Sequence, residues 1–416
     1  MASFSKLPLE TIHHIACLAR DSDLAERPLG RLAKKDRSDH PAASEVEVET
    51  GRGAAALSLA KTCRTVADVA LPVVWRSLNF ANVPHKHHSY VAELLKTKYG
   101  RHVRHLQLTI ALVEVDDGEG DEGEDGVCAV SVDMAARILA TVPLIQTLEI
   151  EFLSLNNTYY ISSLPTALAD ALASHTQIRH FRISCDGETN NIVFQLDEKL
   201  VANIVSGFPR LSSLILHRVN YDILLRSSPL LDAVAKMTHL RKLSVIDVQA
   251  VSELWAARRF SSALQELALV CCPRVSPASL DDMLEQHKAT LSSLSLVDTP
   301  NKDQPLLLHS CCKAKYDLPA LQSLSIQGSG NPHHNTIAFL ERFSKTDMSL
   351  LSVGSAASVT LQNMEDFILS RQLKRLATVE VVGLFDGADV ERAHMLALVA
   401  KAENIGIRVV SAGKRP

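Results

Sequence analysis

Apolar and polar residues alternate along this chain in a pattern that returns at a regular interval. The hexamer apolar-x-x-apolar-x-apolar occurs at Trp75/Leu78/Phe80, Val103/Leu106/Leu108, Ile145/Leu148/Ile150 and Ile178/Phe181/Ile183. It continues at Leu211/Leu214/Leu216, Leu240/Leu243/Val245, Leu264/Leu267/Leu269, Leu291/Leu294/Leu296 and Leu321/Leu324/Ile326, and weaker copies start at Met348 and Leu376. Successive copies start 24 to 33 residues apart, except for one gap of 42 that holds an acidic insertion of 13 residues, Glu114 to Gly126. A single hexamer carries no information, whereas about ten at one spacing mark an internal repeat. Within each copy the fourth and sixth residues are apolar and the third and fifth mostly polar, the period of a half-buried strand.

Between the copies lie stretches with helical spacing, among them Met134/Ile138/Leu139/Val142, Leu200/Val201/Ile204/Val205 and Met364/Phe367/Ile368. Pro143, Pro209 and Pro319 each fall after such a stretch and just before the next hexamer, where a ring that ends a helix suits an extended entry. One strand and one helix cannot bury both apolar faces alone; stacked copies can. The expected fold class is α/β, a solenoid with a parallel strand ladder on the inside and helices outside. The pattern resembles the leucine-rich-repeat family in its longer, helix-containing form. That family often carries Asn or Cys three residues after the last apolar strand position, and only Cys272 clearly matches it here.

Ahead of the repeats stand two helical stretches. The first carries Leu7, Pro8, Leu9, Glu10, Ile12 and Ile15; Pro8 falls in the first turn, where its missing N–H costs little. The second carries Leu57, Leu59, Cys63, Arg64 and Val66 and leads to Leu71, Pro72 and Trp75. In that order these residues resemble an F-box, most closely the divergent F-box proteins with leucine-rich repeats found in fungi. The departure is an insertion from Arg20 to Arg52, with 7 basic and 8 acidic residues among 33. It and the acidic insertion read as disordered loops.

The resemblance implies a substrate-recognition adaptor of a cullin-RING ubiquitin ligase rather than an enzyme. The F-box would dock a Skp-type adaptor, and through it a cullin, by Leu7, Pro8, Ile12, Ile15, Leu57, Leu59 and Val66. The repeats would hold an unknown protein substrate. The domain expectation is an F-box-like module over 1–75 with its insertion at 20–52, repeats over 76–410 with the acidic loop at 114–126, and a polar tail at 411–416. The alternative is a leucine-rich-repeat scaffold whose degenerate F-box no longer recruits a ligase.

Composition narrows the class. Formal net charge is −4, which gives no global attraction for nucleic acid or an anionic membrane. No apolar run reaches about 18 residues, and MASFSKLPLE lacks the layout of a signal peptide. The expectation is therefore a cytoplasmic or nuclear protein with reduced thiols, in which the sequon at Asn156 goes unused.

Other constellations are weaker. Gly118, Gly120 and Gly123 match a dinucleotide spacing but lie among seven carboxylates that would repel a pyrophosphate. His85, His87 and His88 beside Asn82 read as surface histidines, since no further metal ligand falls at a recognisable spacing. Cys272 reads as a buried repeat residue, and no cofactor, metal site or catalytic motif is expected. Substrate contacts are expected at the third and fifth strand positions. There His105, His180, Arg182 and Lys242 make the early half basic, suited to an acidic or phosphorylated segment, while later strands carry serines.

Overall fold

The computed structural model describes residues 70–111, 129–153, 160–186, 188–189, 192–193, 195–220, 227–248, 251, 253–272, 274–297, 315–327, 336–354, 360–370, 372–373, 375–382 and 389–412. The described residues divide into two compact units: those within 1–159, 164–181 and 185–194 make the first, and those within 160–163, 182–184 and 195–416 the second.

In the first unit, strands β1 (Ser77–Asn79), β2 (His105–Ala111) and β3 (Thr147–Leu153) pair in parallel with Leu78, Leu106 and Leu148 in register. Strand β4 (His180–Asp186) follows, with residues 182–184 counted in the second unit. The helices are α1 (His88–Leu94), α2 (Val132–Thr141) and α3 (Thr166–Ala173). Helix α2 starts at Ser131, whose hydroxyl accepts the Met134 N–H, and it buries Ala135, Ile138 and Leu139, one helical face.

The second unit contains an eight-stranded, wholly parallel ladder. Its strands are β5 (Ser213–His217), β6 (Lys242–Ile246), β7 (Glu266–Val270), β8 (Ser293–Val297), β9 (Ser323–Gln327), β10 (Leu350–Gly354), β11 (Thr378–Val382) and β12 (Arg408–Ala412). Parallel neighbours need long crossovers; described helices lie in six of the seven intervals between these strands, and one more precedes the first strand. These are α4 (Glu198–Ser206), α5 (Pro229–Ala235), α6 (Glu253–Ala257), α7 (Pro277–His287), α8 (Thr336–Glu341), α9 (Leu361–Leu369) and α10 (Asp389–Asn404). Asp197, Ser228, Ser276 and Thr360 cap α4, α5, α7 and α9, and Pro229 and Pro277 occupy first turns. Those residue types relieve the unpaired N–H groups of a helix start.

The repeat is visible atom by atom. Leu214, Leu243, Leu267, Leu294 and Leu324 lie in register on adjacent strands, each no more than 2 % exposed. At successive strand entries up to β11 one carbonyl accepts two N–H groups from the next copy, whereas at the entry to β12 Ala377 O accepts only that of Arg408. Arg241 and Lys242 donate to Ser212 O at 2.8 and 3.0 Å, Gln265 and Glu266 to Arg241 O, and Ser292 and Ser293 to Gln265 O. The series runs on through Ser292 O, Gln322 O and Ser349 O. In the first unit Arg76, Arg104 and Gln146 accept in the same way.

At the exits of β5, β6 and β7 the chain turns through Arg218, Asp247 and Cys271, with φ of 56°, 50° and 51°. This left-handed conformation is uncommon for non-glycine residues. Each of the three donates its N–H to the last residue of the following strand: Ile246 O, Val270 O and Val297 O. The next residue, Val219, Val248 or Cys272, is buried in each case. Cys272 is thus a core residue as expected, and its Sγ–H contacts Val245 O and Val270 O, both at 3.5 Å.

Sequence pattern did not foresee a small sheet in the second unit, in which Gln195–Asp197 pairs in parallel with Tyr160–Ile161 and Val219–Asn220. One expectation is corrected outright. His88 is not a surface histidine: it is 2 % exposed, bonded to Val83 O at 2.8 Å through Nε2, and edge-on to Phe80. Burial, and then the neighbouring His85 and His87, hold its pKa below the ordinary imidazole value, against the pull of the Val83 carbonyl.

Candidate protein-binding face

The strand pleat sends alternate side chains to opposite faces of each ladder. On one face the fourth and sixth hexamer positions are buried; on the other the third and fifth remain half-buried or exposed, apart from Ser213 at 8 % exposure. That second face is where the expected contact residues stand. His105 is the half-buried first residue of β2, and His180 the exposed first residue of β4, both in the first unit. Exposed Arg182 and Lys242 count with the second unit.

Lys242 is not an isolated cation. It lies in register with Glu266, and its Nζ is 2.7 Å from Glu266 Oε2. Both side chains are about half exposed, so the pair contributes at most about 1 kcal/mol to stability. The carboxylate also offsets the positive charge that Lys242 presents on this face. The two residues share the third strand position on neighbouring strands, and the sequence shows this only once the register is known.

From β7 to β10 the face carries no charge beyond Glu266: Ala268, Ser293, Ser295, Ser323, Ser325, Leu350 and Ser352 fill it. Charge returns at Glu380 on β11 and Arg408 on β12. A seventh position extends the apolar part, with Ile246, Val270 and Val297 in register and half-buried. Sequence reading stopped at the hexamer and missed this row, although its β-branched residues are a strand signal. Serine hydroxyls that both donate and accept, beside small apolar groups, suit close approach by another polypeptide.

Buried ionisable groups elsewhere serve as ties between copies. Glu198 Oε1 accepts from the Ser228 hydroxyl and from Leu230 N–H, joining α4 to the start of α5; burial raises its pKa. Asp281 accepts from Tyr316 Oη and from Arg342 at 2.7 Å, and that guanidinium covers the Tyr316 ring. Glu365 receives Lys401 and His394 from α10; Lys401, followed by His394, holds its pKa down.

Among the described residues no group of three or more His, Cys, Asp and Glu side chains is placed to hold a metal ion, and no helix is long and apolar enough to cross a membrane. Leu7, Pro8, Ile12, Ile15, Leu57, Leu59 and Val66 lie outside the described residues, as do both insertions and the sequon. Residues 70–74 form a helical turn. Trp75 N–H there donates to Leu71 O, and the indole is buried and stacked on Tyr99 with ring centroids 4.7 Å apart. In comparisons with known proteins, no family model and no curated sequence matches the chain.

Proposed function

We propose that this chain is the substrate-recognition subunit of a cullin-RING ubiquitin ligase, built as an F-box followed by a leucine-rich-repeat solenoid. One observation carries the repeat half of the reading. The recurring hexamers pair as a parallel ladder in a single register, and one face of that ladder is left half-open along its length. Repeat proteins use such a face to hold other polypeptides. His105, His180, Arg182 and Lys242 are the proposed polar contacts, and the serine-rich strands the proposed seat for the substrate's small or apolar side chains. In this reading the protein brings a substrate to catalysis performed elsewhere in the ligase.

The F-box half rests on the ordered residues Leu7, Pro8, Ile12, Ile15, Leu57, Leu59 and Val66, followed by Leu71, Pro72 and Trp75. A specific docking contact covers roughly 1,200–2,000 Å² and depends on a few apolar anchors. Titration calorimetry of the purified chain against a Skp-type adaptor tests it. Leu7→Asp with Pro8→Ala should weaken binding at least about tenfold and leave the repeats folded. If the unaltered chain shows no adaptor binding at about 50 µM, or a Kd weaker than about that value, the ligase role is wrong and the repeats act as a scaffold.

A further inference from the structure

The turn joining α1 to β2 borders an open cavity whose charged residues have no part in the ligase reading. Its volume is about 760 Å³, and residues 95–102 line it together with Leu71, Pro72, Thr141 and Pro143, all in the first unit. That lies within the range of small-ligand sites, roughly 300–1,000 Å³. Every ionisable side chain of acidic or basic type on its wall is basic: Lys96, Lys98, Arg101 and His102. In a chain whose net charge is −4, a wall free of carboxylates runs against the average.

The lysines are exposed, and neither forms an ion pair among the described residues, although Glu93 stands less than one turn before Lys96. Arg101 Nε donates to His102 Nε2 at 3.2 Å. With Nε2 accepting, the ring proton sits on Nδ1, so His102 offers a neutral donor and the ends of the guanidinium stay available. Two adjacent N–H groups on a planar guanidinium match phosphate oxygens in pairs.

These cations are mounted on a stiff frame. Residues Leu95–Tyr99 form a π-turn closed by Gly100 N–H on Leu95 O, a local geometry found often at functional sites. A Cβ at Gly100 would stand 2.0 Å from Thr141 O, so the turn lies directly on the end of α2. Tyr99 is pinned against Trp75. The carbonyl end of α2 opposes an anion, but it is a fractional charge against three whole ones. Leu71, Pro72 and Pro143 line the same cavity and supply apolar surface.

We infer that this cavity binds a compact organic phosphate, its phosphoryl oxygens on Lys96, Lys98 and Arg101 and its less polar body against Leu71, Pro72 and Pro143. The site uses none of the proposed substrate contacts but shares Leu71 and Pro72 with the F-box motif, so its test is run without an adaptor and varies only the cations. Titration calorimetry of the full chain in about 0.15 M salt, where long-range attraction is screened, provides the test. The probes are adenosine diphosphate, inorganic pyrophosphate and adenosine. The diphosphate should bind with a Kd below about 1 mM, pyrophosphate more weakly, and adenosine not at all. Trp75 emission should shift with the diphosphate, because that indole packs on the cavity's Tyr99. Lys96→Gln with Lys98→Gln should weaken binding at least about tenfold, with an unchanged melting temperature to show that the exposed lysines do not hold the fold. No saturable binding of either phosphate at about 5 mM, equal binding of adenosine, or equal binding by the double variant would overturn the assignment.

Discussion

Acidification should weaken the second unit through one residue, His287. This last residue of α7 is 4 % exposed, and its ring stands edge-on to Phe260 with centroids 5.3 Å apart. A helix C-terminus favours imidazolium, yet burial outweighs the dipole and lowers the pKa from 6.5 to about 4. The folded pKa is depressed, so the unfolded chain binds the proton more readily. Stability is then full above the unfolded value of 6.5 and is lost as pH falls toward the folded value of about 4. Between pH 7.5 and pH 5 the linkage amounts to about 2 kcal/mol from this group alone. His88 and His175, whose pKa values burial also lowers, belong to the first unit and act there in the same direction. Glu198 acts oppositely, since its raised pKa makes the charged form costly at neutral pH. Urea unfolding of the unaltered chain and of His287→Leu at both pH values isolates the residue, because every other titrating group is common to the pair. The variant should lose about 2 kcal/mol less on acidification. If the two pH dependences agree within about 0.5 kcal/mol, the assignment of His287 as a buried neutral imidazole is mistaken.

Two further substitutions probe the framework. Leu294→Ala removes three buried carbons from a fully buried position between Leu267 and Leu324; at about 0.8 kcal/mol each, plus a cavity term, the loss should be about 3–5 kcal/mol in urea unfolding. A loss below about 1 kcal/mol would mean that this position is not packed. Gly100→Ala places a Cβ against two backbone oxygens, Thr141 O at 2.0 Å and Leu95 O at 2.7 Å, and should lower stability by more than about 2 kcal/mol in a thermal or urea melt; an unchanged melt would refute the close approach.

The strands were legible because a period of two admits only one assignment of faces once one face must be buried. Leu214 through Leu324 therefore fall where the spacing placed them, and Cys272 is buried as its position in the repeat implied. The Lys242–Glu266 pair was hidden, since the two residues are 24 positions apart and meet only through the register. His88 was misread because a histidine in a polar stretch gives no local sign that a carbonyl, here Val83 O, stands ready inside. Left-handed Arg218, Asp247 and Cys271 were invisible as well. They share no residue type, and the conformation is imposed by N–H bonds to the following strand. The basic cavity left no motif either: Lys96, Lys98 and Arg101 look like ordinary surface charges until the turn around Gly100 sets them along one wall.

The doubly accepting carbonyl that recurs at the strand entries up to β11 makes those copies interchangeable parts. Ser212 O receives the N–H groups of Arg241 and Lys242, and Arg241 O receives those of Gln265 and Glu266. Excision of residues 241–264, one whole period, brings Gln265 and Glu266 to Ser212 with the same pair of donors, and the ladder closes one rung shorter. Excision of a single residue inside a hexamer instead turns every later side chain of that strand to the wrong face. Such an array can lengthen or shorten by whole rungs, and its half-open face then grows or contracts by one strand width, about 4.8 Å, at each step. The variation in spacing from 24 to 33 residues falls between the hexamers, where neither the register nor the shared acceptor is disturbed.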